Sequence, residues 1–416
     1  MLIRFIILFA VLLLIDYYFF QAIRTIDTSW SELRRIWVFR IYWGFSTFSF
    51  LFGLFSLITY QNPWFSKYIY LYTFCVIFIV VISKLAGSVF LLIDDIQRFF
   101  RWTSGFFQLG IRPDAGSGSG ISRAKFLSYT ALGISAIPFT TMIYGMLKTA
   151  FDFTIRRKKL GIVNLPKGFE GLKIAQISDI HSGSFASGEP FQRAVEMIMQ
   201  EKPDIIFFTG DLVNDRSSEA ERHIETWKKL SAPLGVFSIL GNHDYGDYVI
   251  WETEDEKIAN LNRLKEIHKE MGWDILTNEH RILERNGDSI GLLGVENWGE
   301  ALRFPRKGDI VKAKAGMPEV PVKILLSHDP SHWHAQVLKD HPDINLTFSG
   351  HTHGFQFGIE IPGFKWSPSQ YVYKQWAGLY SEKNQHIYVN RGLGFLGYLG
   401  RVGIKPEITI LELERG

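Results

Sequence analysis

Two patterns of hydrophobicity divide the chain. Long apolar runs fill the first 150 residues: Leu2 to Ile23, broken mainly by Arg4 and Asp16, then about 41–60, 68–93 and 126–147. Each approaches the ~20 residues that a helix needs to cross a bilayer. Four spanning helices are predicted, the second and third as a hairpin whose connection carries the interfacial aromatics Trp64 and Tyr68. Gly133 and Pro138 in the fourth run weaken a soluble helix but are tolerated in a spanning one. From Leu172 the pattern changes to short β-rich runs, each followed by a polar loop. Runs 172–178, 204–208, 235–240, 322–327, 344–349, 386–390 and 407–413 read as strands, and amphipathic stretches near 190–201, 217–230, 254–271 and 331–340 as helices between them. The expected organisation is an N-terminal α-helical membrane anchor over 1–150, with a flexible Gly/Ser linker at 114–120, and an α/β domain over 165–416 whose later part is mostly strands.

Composition narrows the function classes. Apolar residues make up 47% and charged ones 21%, while the net charge is only +3, with no basic stripe outside the membrane flanks, which argues against a nucleic-acid partner. The single cysteine, Cys75, lies in an apolar run, so no disulfide or thiolate metal site is available. Arg24 to Arg40 holds four arginines and Arg98 to Lys125 five basic residues, which favours both loops on the cytoplasmic side and the α/β domain on the extracytoplasmic face. Ser122-Arg123-Ala124-Lys125-Phe126-Leu127, similar to a twin-arginine export signal lacking one arginine, leans the same way, whereas Arg156-Arg157-Lys158-Lys159 weighs against it. Lys84, inside the third run, reads either as a functional intramembrane charge or as a side chain that snorkels to the interface.

The chemistry sits at the strand ends. The run 172–178 leads into Asp179-Ile180-His181, 205–209 into Gly210-Asp211, 236–240 into Gly241-Asn242-His243-Asp244, 324–327 into His328, and 346–350 into His351-Thr352-His353. In open α/β sheets ligands bind beyond the carboxyl ends of strands, so these residues converge on one crevice. Imidazole, carboxylate and amide without sulfur suit Mn first, with Fe or Zn as alternatives, in a catalytic rather than structural site. Two divalent ions against two carboxylates leave a positive centre, for which a phosphate anion is the natural guest.

Asp-x-His, Gly-Asp, Gly-Asn-His-Asp, His and Gly-His-x-His in this order resemble the calcineurin-like metallophosphoesterase superfamily, over roughly 165–413. The resemblance implies a four-layer α/β/β/α sandwich and two divalent metal ions. It implies that Asp179, His181 and His353 hold the first metal, that Asn242, His328 and His351 hold the second, and that Asp211 bridges them, with a metal-bound hydroxide attacking phosphorus in line. It further implies that His243 binds the phosphoryl oxygen or protonates the leaving group, oriented by Asp244. Gly378-Leu379-Tyr380 and Val389-Asn390-Arg391-Gly392-Leu393-Gly394 are similar, more loosely, to a membrane-bound branch that includes UDP-diacylglucosamine pyrophosphate hydrolases, which suggests a phosphorylated small-molecule or lipid-linked substrate met among membrane lipids.

Several residues read two ways. Arg391, after a strand, contacts either substrate phosphate or a structural carboxylate. The aromatics between Phe355 and Tyr380 form a wall for a lipid or nucleoside group, or pack on the sheet or against the membrane interface. Gly392 to Gly397 matches a dinucleotide fingerprint as a string but lacks room for a βαβ unit, so no dinucleotide cofactor is expected. The rival to a metal-dependent phosphohydrolase is a catalytically silent scaffold or sensor of the same fold at the membrane. An intact His243 beside a complete donor set speaks against it.

Overall fold

The computed structural model describes residues 2–27, 30–59, 67–107, 122–301 and 304–416; the linker at 114–120 and Trp64 lie outside these ranges. The chain divides into two compact units, residues 1–144 and 145–416. In the first, α1 (Leu2–Ile26), α2 (Glu32–Thr59), α3 (Lys67–Phe107) and α4 (Arg123–Leu147), which runs on into the second, are all long and apolar enough to cross a membrane. Both α2 and α3 outrun their apolar segments, because charged turns such as Glu32–Arg35 continue the same helices. Lys84 does not snorkel. Its Nζ donates to Asp16 Oδ1 at 2.6 Å, with 9% of its side chain exposed, and lies 4.1 Å from the centre of the Tyr42 ring. Two charges that each interrupt an apolar helix thus neutralise one another inside the bundle.

The second unit is built on two six-stranded sheets. One has the order β1 (Thr154–Ile162), β14 (Glu407–Arg415), β2 (Lys173–Ile177), β3 (Ile205–Phe208), β4 (Val236–Ser238), β5 (Asp274–Ile275). The other runs β12 (Gly378–Glu382), β13 (Gln385–Val389), β9 (Leu346–Ser349), β8 (Lys323–Leu326), β7 (Asp288–Gly294), β6 (Glu279–Arg285). Strands β2 to β5 are mutually parallel, as are β7, β8, β9 and β13. Ile174, Phe207 and Leu411 of the first sheet share one core with Leu292, Ile324 and Phe348 of the second, and the Phe207 and Phe348 rings meet at 5.3 Å.

Helices cover both outer faces. Over the first sheet, Phe191 of α5 (Glu189–Gln200) meets Trp227, and Trp273 joins Trp227 to Phe208. Over the second, Ile310 and Ala313 pack with Trp333 and Val337 against Leu293, Leu325 and Val389. The result is the α/β/β/α sandwich. Coverage on both faces is why β3, β8 and β9 are buried at every position, and why β3 is apolar throughout.

Some expected elements change form. The stretch 217–230 breaks into two single turns, α6 (Ser218–Glu221) and α7 (Ile224–Trp227), and 331–340 is a π-turn at Trp333–Val337 followed by one α-turn. The basic run Arg156–Lys159 belongs to edge strand β1, where Arg157 pairs with Glu201 and Lys159 with Glu412 and Glu414. Charge on an edge strand keeps other chains from adding to the sheet.

One buried histidine sets a pH dependence. His268, on α8 (Glu254–Glu270), is fully buried against Phe208 and Trp273, with Nδ1 2.9 Å from Ser238 Oγ, and burial pushes its imidazole down to about 3. The unfolded chain takes up this proton below ~6.5 while the folded one refuses it, so stability falls as pH drops from ~6.5 towards that value, by about 2 kcal/mol at pH 5. Melting temperatures at pH 7.5 and 5 should differ, and the difference should shrink in His268→Gln, which can still bond Ser238. An equal drop in both proteins would refute the assignment.

Candidate active site

Five strands deliver the predicted donors to one edge of the sandwich. Asp179 and His181 follow β2, Asp211 follows β3, Asn242 and His243 follow β4, His328 follows β8, and His351 and His353 follow β9. The chain turns sharply at these points. Asp179, His181, Asp211, His351 and His353 have φ of 50°, 48°, 60°, 72° and 50°, a region that residues with a Cβ rarely adopt. Such strain survives only where the surroundings over-determine it, and it clusters at working sites.

The donor atoms gather in two groups, Asp179–His181–His353 and Asp211–His328–His351, the ligand atoms of each within 4.8 Å of one another. His353 Nε2 lies 3.1 Å from His181 Nε2 and 3.2 Å from Asp179 Oδ1. His351 Nδ1 lies 3.3 Å from His328 Nε2. Asp211 joins the groups: its Oδ2 is 3.6 Å from His181 Nε2 and 3.2 Å from His328 Nε2, while its Oδ1 accepts the His243 amide at 2.8 Å. Asn242 donates through Nδ2 to Tyr248, which leaves its Oδ1 buried without a partner. A buried carbonyl oxygen with no donor is costly unless something electropositive faces it, so this donor set fits a pair of hard cations.

The imidazoles are held from behind. His181 Nδ1 is 3.2 Å from Asn214 Oδ1, and His328 Nδ1 donates to the Thr209 carbonyl at 2.7 Å, so that Nε2 of each carries the free lone pair. His351 is held through Nε2 by the Tyr373 hydroxyl at 2.8 Å, which turns its Nδ1 inward. Asn214 and Tyr373 were not singled out by sequence reading. Tyr373 stood only among candidate wall aromatics, and Asn214 carries no signal at all.

Electrostatics point the same way. Burial pushes His181 down to about 3, a neutral lone-pair donor at pH 7. Burial opposes ionisation of Asp211, but His328 and His243 override it and hold the carboxyl well below its usual range. His328 is lowered by burial, yet Asp211 and Asp179 outweigh that and raise it to about 10. The two carboxylates therefore create a cavity that demands positive charge, which divalent ions meet by displacing the proton.

The comparisons agree with this geometry. The model of the family "Calcineurin-like phosphoesterase" matches residues 172–355, and a model described as "Probable Calcineurin-like phosphoesterase, transmembrane domain" matches residues 3–150. The uncharacterised metallophosphoesterase YkuE of Bacillus subtilis is 32% identical over 254 residues, 60% of this chain and 82% of its own length. The chain belongs to the calcineurin-like phosphoesterase family.

Two further relatives place the family member more closely. A zebrafish transmembrane protein with a metallophosphoesterase domain is 31% identical over 66% of this chain, which spans 60% of that relative's length. The UDP-2,3-diacylglucosamine pyrophosphatase LpxG of Chlamydia trachomatis is 28% identical over 60% of this chain and 86% of its own. With the transmembrane-domain model over residues 3–150 and four helices long and apolar enough to cross a bilayer, this family member is a membrane protein.

Two expected roles change in the calcineurin-like site. Asp244 does not orient His243: its carboxylate accepts the amides of Asp211, Leu212 and Gly241 at 2.8–2.9 Å, locking two donor loops together. His243 is oriented instead by the Asn214 carbonyl, 2.8 Å from Nδ1. Arg391 is 3% exposed and pairs with Glu407 and, at 2.8 Å, with Glu360, so its guanidinium is engaged away from the donors and the structural alternative holds. The adjoining glycines matter more to the site: a Cβ on Gly394 would meet the Ile180 carbonyl at 2.1 Å, so the 392–397 run lets the loop bearing Asp179 and His181 approach. Arg401, fully buried, closes this region by donating to the Arg391 and Gly392 carbonyls at 2.8 and 3.0 Å.

Proposed function

We propose that this chain is a multi-pass, membrane-anchored dinuclear phosphohydrolase acting on a phosphate ester or pyrophosphate, with a lipid-linked substrate favoured by the relationship to LpxG. The observation that carries the reading is Asp211, one carboxylate oxygen of which faces both histidine groups. Asp179, His181 and His353 would hold one ion, Asn242, His328 and His351 the other, and Asp211 both; manganese is the first choice for this nitrogen- and oxygen-only set. When bound, two divalent ions there supply the Lewis acidity and water activation that in-line displacement at phosphorus requires.

The protein's own part is positioning and proton transfer. His243 commits Nδ1 to the Asn214 carbonyl, which leaves Nε2 to bond a phosphoryl oxygen or deliver a proton to the leaving group. Asp244 keeps the Asp211 and Asn242 loops in register. The basic loops favour the catalytic unit on the extracytoplasmic face.

Purified, metal-stripped protein in detergent, assayed with and without Mn²⁺ on a chromogenic diester, a monoester and a lipid-linked pyrophosphate, tests this. Mn²⁺-dependent turnover is expected, highest on the lipid-linked substrate. Bound metal without turnover on any of them would point to the silent scaffold.

A further inference from the structure

The hairpin of β10 (Ile359–Ile361) and β11 (Phe364–Trp366) is inverted relative to an ordinary protein surface. Pro362 and Gly363 (φ 80°) make its turn, and the register pairs Ile361 with Phe364, Glu360 with Lys365 and Ile359 with Trp366. Directly paired residues share a face and alternate residues return to it, so four apolar side chains lie on one face and the two charged ones on the other.

The charged face is tied back onto the domain, with Glu360 half-buried and Lys365, though exposed, bending its ammonium inward. Glu360 accepts from Arg391 at 2.8 Å and from Arg156 at 2.7 Å, and Lys365 Nζ donates to the Ala377 carbonyl at 2.6 Å. The apolar face points out, with Ile359, Ile361 and Phe364 at 51%, 59% and 53% exposure, and Tyr371 and Val372 beside them at 75% and 61%. A half-buried antiparallel pair normally does the reverse. A contiguous exposed apolar patch of this kind marks an interaction surface.

The chain itself indicates what covers it. Helix α4, apolar enough to cross a membrane, ends at Leu147, and β1 begins at Thr154. Only residues 148–153 lie between them, a reach of at most about 20 Å at ~3.5 Å per residue. The hairpin is tied directly to that first strand through Arg156 and Glu360. Trp366 and Tyr371 are residue types that favour the headgroup level. The unit that carries this surface is therefore tethered within reach of a bilayer.

We propose that the β10–β11 hairpin, with Tyr371 and Val372, docks its apolar face into the bilayer. The hairpin begins shortly after His353 in the chain, so docking brings the loop carrying His351 and His353 towards the phosphate groups of the headgroup layer. This consequence, though not the docking, rests on the phosphohydrolase reading.

The full chain with Cys75→Ser and either Phe364→Cys or Tyr371→Cys, labelled with bimane, would be reconstituted into phosphatidylcholine–phosphatidylglycerol bilayers with and without brominated acyl chains. Both positions should be quenched at least twofold more than a label at Val311→Cys, a position 71% exposed on α9 (Ile310–Lys314). Quenching no greater than at Val311→Cys overturns the proposal. Turnover of a soluble chromogenic diester by the same labelled proteins keeps a failure of docking separate from a failure of the catalytic reading.

Discussion

Asp211→Ala should abolish hydrolysis and release both metal ions. The substitution removes the single oxygen that lies 3.6 Å from His181 Nε2 and 3.2 Å from His328 Nε2, and with it one of the two carboxylates whose charge draws cations into the centre. It also leaves the His243 amide, held at 2.8 Å by the other oxygen, without its acceptor in the interior. A buried donor stripped of its partner costs about 1–3 kcal/mol, so the loop between β4 and α8 should loosen too. Asp211→Asn separates the two effects, since the amide keeps the shape and loses the charge. The expected order of bound metal, measured by elemental analysis after dialysis, is wild type at two ions, Asn below that, and Ala near none. Two retained ions in Asp211→Ala would remove the bridge from this account.

His243→Ala should behave in the opposite way, keeping both ions while turnover falls ~10²–10⁴-fold, the range of a lost general acid. His243 contributes no atom to either donor group. Its ring packs edge-on against His181 at 5.0 Å and its Nδ1 is anchored on the Asn214 carbonyl, so the side chain faces the centre without ligating it. The leaving group offers a sharper test than the rate alone. An ester whose leaving group departs without protonation, such as a dinitrophenyl phosphate, should recover most of the lost rate, while an alkyl ester should not. Equal loss on both would reduce His243 to a phosphate-binding residue, and loss of metal would end the proposed role altogether.

These contrasts depend on facts of different legibility. The donors stood out in the sequence because each follows a short apolar run, and residue type at a strand end is a local property. The hairpin of β6 and β7 was legible as well, although neither strand is among the expected runs. Asn286-Gly287 joins the two, with φ of 53° and 85°, and an Asn-Gly pair between apolar stretches is the strongest short-range hairpin signal. Strand β1 was hidden for a physical reason: an edge strand needs little apolar surface, and Arg156-Arg157-Lys158-Lys159 looks like a membrane flank until Glu201, Glu412 and Glu414 are placed beside it.

The four apolar helices, the α/β nature of the C-terminal unit, and the kind and order of the Asp, Asn and His donors can all be read along the chain, because hydropathy and residue chemistry are carried by each position alone. Which neighbour each of those residues answers to is set by the fold. His243 takes its orientation from a backbone carbonyl, Asp244 locks loops instead of orienting it, and Arg391 is held by Glu360 and Glu407. A carbonyl is present at every residue, and a carboxylate 16 or 31 positions away leaves no periodic trace, so such partners come into being only when the chain folds.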